Sequence, residues 1–296
     1  VDNGSIDKSV EKIKEYVSKS GVFKGKFFET DFNHPEKHIR QKILPFRQNL
    51  IVIKNKKNYG FAEGNNIGIR YAMKELNPDY FLLLNNDVIV DSRFLNELVK
   101  VGEKHLRVGI LGPKIYYYNF HGRKDVISFA GEDLVLWKVQ GIRYGFNEVD
   151  KGQHDSLMEV DKIEGSCMLI KREVIEKIGL LDSNFFMFWE DTDFCLRAKR
   201  RGFKIMYVPT AKVWHKIAAS TGGLFSPNRV YFMARNRLIF ASKNLDGFTK
   251  INFMIFFFCY SFWLNIGELL KNRKGKVLPY FLLGTFNGLM LSLIHI

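Results

Sequence analysis

Four short polar clusters in this chain have residue types suited to catalysis or ion binding. They are Asp2, the Gly- and Asn-containing stretch Asn58–Asn66, the triplet Asn85-Asn86-Asp87, and Glu190-Asp191, with His215 following them. The triplet ends an apolar run, Phe81–Leu84, of the kind that forms a strand buried on both faces of a parallel sheet. In open α/β sheets, ligands bind just beyond the carboxyl ends of the strands. A carboxylate at that point, flanked by amide carbonyls, suits a hard divalent cation that also holds a diphosphate. Taken alone, each cluster has an ordinary structural explanation. Asn-Asn-Asp is common in turns, and Glu190-Asp191-Thr192-Asp193 reads as acidic capping of a helix. A single His after a short strand is a structural residue by default.

The surrounding elements place the clusters in register with one another. Ile6, Val10, Ile13 and Val17 fall at helical spacing, so Asp2 stands at a strand-to-helix crossing. A strand over Leu50–Ile53 leads into the Asn58–Asn66 loop, and a helix follows with Ile69, Ala72, Met73 and Leu76 on one face. The strand ending at Asn85 comes next, then a helix from Ser92. This alternation predicts an α/β, Rossmann-like, doubly wound and mostly parallel sheet. Tyr116–Ser156 interrupts it as a long aromatic and polar insertion. A strand over Cys167–Ile170 follows, then a helix Arg172–Ile178 stopped by Gly179. Next come a helix from about Asp191 to Arg201 and two short strands, Lys204–Val208 and Ala211–His215, with Pro209 between them. Asp193 and Arg197 are spaced for an intrahelical ion pair.

Taken together and in order, the motifs resemble family 2 glycosyltransferases. They are Val1–Ser5, Asn58–Gly68, Leu84–Asp87, Gly179–Asp193 and Val213–His215, and the resemblance covers roughly Val1–Thr221. The nearest likeness is to the rhamnosyltransferase-like and galactofuranosyltransferase-like branch. This implies a GT-A fold, a nucleotide-sugar donor (UDP- or dTDP-linked) and a divalent metal, Mg²⁺ or Mn²⁺. By this resemblance Asp87 and His215 are metal ligands, with Asn85 and Asn86 in place of the earlier acids of an Asp-x-Asp-type motif. Asp2 accepts from a uracil or thymine ring, its alternative being an N-cap. Gly60 and Gly64 let the backbone approach the nucleotide, and Asn65 or Asn66 caps the following helix. Asp191 is the candidate general base, because the acceptor hydroxyl loses a proton as it attacks. Glu190 hydrogen-bonds sugar hydroxyls, Trp189 offers an apolar face to a sugar ring, and Gly165-Ser166 lines the acceptor side. Cys167 is expected to be a core residue rather than a nucleophile.

Composition sets limits on class and partner. Among 296 residues, 46% hydrophobic and 15% aromatic content excludes a disordered chain. Three cysteines fit no metal spacing and point to a reducing compartment. The net charge of +14 arises from 45 Lys and Arg against 31 acids, and half of it lies beyond Ser226, where nine basic residues face two acidic ones. There the basic residues interleave with apolar segments, Phe253–Leu264 and Val277–Leu293. That combination points to a membrane surface rather than nucleic acid, for which no motif is present. The expected partners are therefore a nucleotide sugar, a glycan or lipid-linked acceptor, and the cytoplasmic membrane face. Interfacial helices are the first reading there, a short membrane hairpin the second, and a helical extension packed on protein the third.

The expected organisation is a GT-A domain over residues 1–225 and a basic, apolar extension over 226–290. Val1 is not a start methionine, and Val-Asp-Asn-Gly-Ser reads as the end of a strand whose beginning is missing. Leu291–Ile296 matches the translation of a sequencing-adapter sequence, with an ordinary apolar tail as the alternative. Two other functions compete: a sugar-phosphate nucleotidyltransferase, which would call for a basic Gly-rich loop near the N-terminus, and a non-catalytic nucleotide-sugar binder or scaffold.

Overall fold

A computed structural model describes residues 1–19, 25–31, 49–216, 223 and 225–294. His295 and Ile296 of the expected adapter segment, and residues 217–221 of the family-like stretch, lie outside it. The chain forms two compact units, Val1–Asp79 with Leu180–Met187, and Tyr80–Gly179 with Phe188–Ile296. The helices after residue 226 therefore cluster with the strands of the second unit instead of forming a separate body.

In the first unit, helix α1 (Ser9–Lys19) is followed by parallel strands β1 (Lys26–Asp31) and β2 (Asn49–Lys54). Asp2 adds a parallel bridge to β2: its amide donates to Ile53 O at 2.8 Å and its carbonyl accepts from Asn55 N at 2.9 Å. Asp7, not Asp2, accepts from the amide at the start of α1. Helix α2 (Gly60–Glu75) begins earlier than the sequence implied, so most of the expected Asn58–Asn66 loop is helical. Its first amides are satisfied from outside the helix. Phe186 O accepts from Phe61 N at 2.6 Å and Ala62 N at 3.2 Å, and Asn58 Oδ1 accepts from Gly60 N at 2.8 Å. Asn65 and Asn66 therefore sit in the second turn and cap nothing. Asn66, 2% exposed, clasps Leu181 with both ends of its amide, at 2.8 and 3.0 Å.

The second unit holds β3 (Tyr80–Leu84), β4 (Val88–Val90), α3 (Phe94–Lys104), β5 (Val108–Tyr117), β6 (Val126–Phe129), β7 (Glu132–Val135), β8 (Gln140–Arg143), β9 (Glu148–Val149), β10 (Met158–Glu159) and β11 (Cys167–Lys171). It continues with α4 (Arg172–Ile178), α5 (Glu190–Arg200), β12 (Lys204–His215) and α6 (Pro227–Asn244). Helix α7 (Gly247–Phe256), a five-residue π turn and α8 (Phe262–Lys271) form one helical body, and α9 (Leu278–Ile294) is the last described element. The main sheet has the order β10-β12-β5-β11-β3. Among the described strands of this sheet only β12 and β5 pair in parallel. β11 is antiparallel to both β5 and β3, and β4 to β12, so the sheet is mixed and not mostly parallel. Accordingly β3 alternates instead of being buried on both faces: Phe81 and Leu83 are buried while Leu84 is 41% exposed. The two short strands expected around Pro209 are one strand whose register slips between Val208 and Lys212, because proline supplies no ladder donor.

The Tyr116–Ser156 insertion folds back over β5 as short antiparallel strands. Lys114, fully buried, points into it and is ion-paired with Asp150 at 3.0 Å and with Asp155. Burial alone would raise the Asp150 carboxyl. Hydrogen bonds from Tyr116, Gly152 N and Lys114 outweigh that and bring it down to about 2. A carboxyl depressed from 3.8 contributes stability that is complete above its ordinary value and lost as the pH falls toward 2. Urea midpoints measured from about pH 5 down to about pH 2 should therefore fall less steeply for Asp150→Asn than for the parent chain.

Candidate active site

Two clusters in the second unit meet at the start of β11. Asp87 occupies the turn between β3 and β4, and His215 ends β12. The β12–β4 pairing puts His215 opposite Val88, which brings His215 Nε2 to 3.1 Å from Asp87 Oδ1. Lys216 N closes the turn on Asp87 O at 3.0 Å. Asn85 N donates to Ser166 O at 2.9 Å, while Asn86 is exposed beside it. One residue earlier, Gly165 N donates to Asp191 Oδ2 at 3.1 Å. The Gly165-Ser166 pair thus ties the Asp87 turn to the N-terminus of α5.

Asp191 is held from several sides. Its Oδ1 accepts from Thr192 N at 2.7 Å and Thr192 Oγ1 at 3.2 Å, and Lys162 Nζ stands 3.9 Å away. A carboxylate has about four lone-pair sites, so both oxygens retain accepting capacity. Lys162 also faces Glu132 at 3.4 Å, and Glu132 pairs with Arg143 at 3.3 Å. Burial alone would favour the neutral amine of Lys162. The Asp191 and Glu132 carboxylates outweigh that and keep the proton on it. Neighbouring Glu190 is 5% exposed. Burial, reinforced by the Asp191 carboxylate, pushes it up to about 8, so it stays protonated at neutral pH.

The approach to α5 is strained. Phe188 and Trp189 both have left-handed backbones, with φ of 66° and 74°, each costing about 1–3 kcal/mol. Asn236 on α6, fully buried, donates to Phe188 O at 2.9 Å and holds the turn in place. Trp189 packs against Phe240 with ring centroids 5.1 Å apart. In the first turn of α5, Asp193 is fully buried. It accepts from Arg197 at 2.8 Å, Lys243 at 3.0 Å and Asn244 at 2.9 Å. The i, i+4 pair expected from sequence is present, with two α6 residues added to it. Cys167 is fully buried, and burial pushes its thiol up to about 12, as befits a core residue.

Among the described residues, five buried polar atoms in these clusters have no hydrogen-bond partner: Glu164 Oε2, Ser166 Oγ, Trp189 Nε1, Glu190 Oε2 and His215 Nδ1. Buried polar groups in folded proteins are nearly always paired. Among the described residues no set of three His, Cys, Asp or Glu side chains is arranged to hold a metal. Asp87 and His215 nevertheless form a carboxylate–imidazole pair that fits two positions of a divalent ion's coordination shell.

In the first unit the organising residue is Asn3, which the sequence motifs did not single out. It donates to Asn58 Oδ1 at 3.0 Å and Gly60 O at 2.9 Å, and accepts from Asn55 Nδ2 at 3.0 Å. Gly60, at φ +84°, packs under Phe186. Gly64 leaves room for the Asn3 amide, which would lie 3.1 Å from a Cβ there. Asn65 bonds within its own helix, to Phe61 O at 2.8 Å. Sequence reading also missed Lys162 and Asn236. Lys162 lies in the short stretch Val160–Ile163, after the insertion, and its partners Glu132 and Asp191 are remote in sequence. Asn236 carried the one available signal, an amide at i, i+3 and i, i+4 spacing from the apolar Ile239 and Phe240.

The Glu190 environment makes a pH prediction. An acid raised from 4.5 to about 8 stabilises the fold at low pH, and that contribution is lost as the pH rises between the two values. Chemical denaturation should show stability declining from about pH 5 to about pH 8 and levelling beyond. Glu190→Gln should flatten that decline.

Residues 36–238 match the family described as "Glycosyltransferase like family 2". The chain is 29% identical over 287 residues to the low-salt glycan biosynthesis hexosyltransferase Agl10 of Haloferax volcanii, covering 95% of this chain and 88% of that one. It is 26% identical over 210 residues to the rhamnosyltransferase WbbL of Escherichia coli, covering 65% and 76%. Over 152 residues it is 40% identical to the N-acetylglucosaminyl-diphospho-decaprenol L-rhamnosyltransferase of Mycobacterium tuberculosis, covering 49% of each. Matched over more than half its length, and related to hexosyl- and rhamnosyltransferases, this chain belongs to the family 2 glycosyltransferases, enzymes of GT-A fold.

Proposed function

We propose that this enzyme moves a sugar from a UDP- or dTDP-sugar to a lipid-linked glycan acceptor, with inversion, by a single direct displacement. The observation that carries the reading is the group of unpartnered buried polar atoms around Asp191 and His215. Leaving each of them unbonded costs about 1–3 kcal/mol, which a hydroxyl-rich ligand recovers by bonding to them. The relatives reported above are named as sugar transferases, which favours a transferase over the competing nucleotidyltransferase.

Asp87 Oδ1 and His215 Nε2 would hold a divalent cation, and Asn85 and Asn86 flank it. Such an ion supplies positive charge to the departing nucleoside diphosphate. Asp191 takes the proton of the acceptor hydroxyl as that oxygen bonds to the anomeric carbon. The Gly165 and Thr192 amides fix the direction of its carboxylate. Protonated Glu190 donates a hydrogen bond to a sugar oxygen, and Trp189 and Ser166 line the acceptor side. In the first unit Asp2 accepts from the pyrimidine imide, while the space at Gly60 and Gly64 is taken by Phe186 and Asn3 and not by the nucleotide. The M. tuberculosis relative is named for a decaprenol-linked substrate. A comparable acceptor, together with the basic apolar C-terminus, supports a location at the cytoplasmic face of a membrane.

Calorimetric titration with UDP and dTDP, with and without Mn²⁺, tests the donor half of this reading. Metal-dependent binding of one nucleotide is expected, weakened at least ~10-fold by Asp87→Ala and by His215→Ala. Asp191→Asn should bind donor like the parent and lose about 10²-fold or more in kcat. Absence of nucleotide binding by the folded protein would favour the scaffold alternative.

A further inference from the structure

Two helical segments, Gly247–Lys271 and Gly275–Leu293, are long and apolar enough to cross a bilayer. Their packing argues against crossing. Phe253, Phe257 and Ser261 form a buried stripe on the first segment. Arg237 of α6 lies 5.6 Å from both rings and donates to Ser261 Oγ at 2.6 Å. The same guanidinium donates to the carbonyls of Lys138 at 2.6 Å and Val139 at 3.2 Å. The first segment is therefore bound to a turn of the catalytic unit.

Contact continues at the tip of the hairpin, where Leu269, Val277 and Phe281 cluster with Ala234 of α6. Beyond the tip, α9 lies along α6. Asn287 donates to Tyr231 Oη at 2.9 Å, and Ser242 Oγ donates to Ser292 O at 3.1 Å. Gly284 abuts Tyr231 O, and a Cβ on Gly288 would stand 2.6 Å from Arg235 O. A crossing helix needs about 20 residues, some 30 Å, clear of the soluble body. Both segments instead touch α6 or its neighbours along their length. Helix α6 carries Arg229, Arg235, Arg237 and Lys243 and grips the base-bearing α5, so it cannot enter hydrocarbon.

The outward faces are apolar nonetheless. Phe248, Ile251, Ile255, Trp263, Leu264 and Phe286 are between 55% and 75% exposed. A helix resting on a water-soluble body normally turns polar residues outward. At the hairpin tip Lys271, Arg273, Lys274 and Lys276 are all exposed. An apolar face beside a cluster of cations matches the chemistry of a bilayer with anionic headgroups.

We propose that this hairpin lies in the plane of an anionic membrane, its outer face seated at the headgroup–acyl boundary, and does not cross. The inference rests on the membrane association proposed above and specifies its geometry. An in-plane helix sits about 5–10 Å deep, whereas the midpoint of a crossing helix lies about 15 Å from either edge of the hydrocarbon.

The chain contains its own depth probe. Cys259 is exposed and central in the first segment, while Cys167 and Cys195 are buried. The folded protein, labelled at Cys259 with an environment-sensitive thiol dye, is mixed with phosphatidylcholine vesicles with or without phosphatidylglycerol. Expected are binding to the anionic vesicles, a blue-shifted emission, and stronger quenching by lipids spin-labelled near the headgroup than by those labelled deep in the chain. Replacing Lys271, Arg273, Lys274 and Lys276 by Gln should weaken that binding at least ~10-fold. Stronger deep quenching would mean that the segment crosses and would overturn the proposal. Equal binding to neutral vesicles would overturn its anionic requirement. No vesicle binding, with a dimer in sedimentation, would assign the face to a second copy. Nucleotide binding measured on the same sample would show whether the transferase reading survives either failure.

Discussion

Burying the Asp193 carboxylate in the first turn of α5 constrains much of the second unit. An ionised carboxylate with no exposed surface must be surrounded by donors. Arg197 supplies one from the same helix, but Lys243 and Asn244 come from the end of α6. The α5–α6 junction is therefore fixed at one end by charge and, through Asn236 and Phe188 O, near the other by a neutral hydrogen bond. Asp191 lies two residues from this anchor. Its direction follows from it and from the Gly165 amide, which comes from the turn before β11.

The strain at Phe188 and Trp189 follows from the same junction. Neither residue has an intrinsic reason to adopt positive φ. Two left-handed residues in succession turn the chain sharply enough for α5 to begin with Glu190 and Asp191 both buried. Asn236 supports the strained turn, and the Trp189–Phe240 contact supports it from the side. Burying two adjacent carboxyls without full pairing is costly, and here Glu190 avoids the cost by keeping its proton. Lys162 balances Asp191, and Arg143 balances Glu132 in turn. The electrostatics of the site thus depend on the chain of charges from Arg143 to Asp191.

Much of this was legible in the sequence, and the misses share a cause. The strand before Asn85, the helix stopped at Gly179 and the Asp193–Arg197 pair all depend on local chemistry, which a one-dimensional reading registers. The direction of β3 pairing does not. An apolar run fits a parallel or an antiparallel neighbour equally well, and the neighbour here, β11, comes much later in the chain. The start of α2 was misplaced for a similar reason. Gly60 and Gly64 read as loop residues because the carbonyl that satisfies the first helical amides belongs to Phe186. Asn3 and Lys162 act through partners remote in sequence and carry no spacing signature of their own.

The C-terminal hairpin shows where composition alone misleads. By length and hydropathy its two segments equal membrane spans. What decides is the bed on which they lie. Helix α6 presents Arg237, Tyr231 and Ser242 to the hairpin, and Asn236, Lys243 and Asn244 to the catalytic turn and α5. One helix therefore carries both the apolar face and the support of the proposed base. With the hairpin seated on a bilayer as proposed, that arrangement would set the height of Asp191 above the membrane through a single rigid element. A crossing hairpin would instead leave that height to the linker between membrane and enzyme.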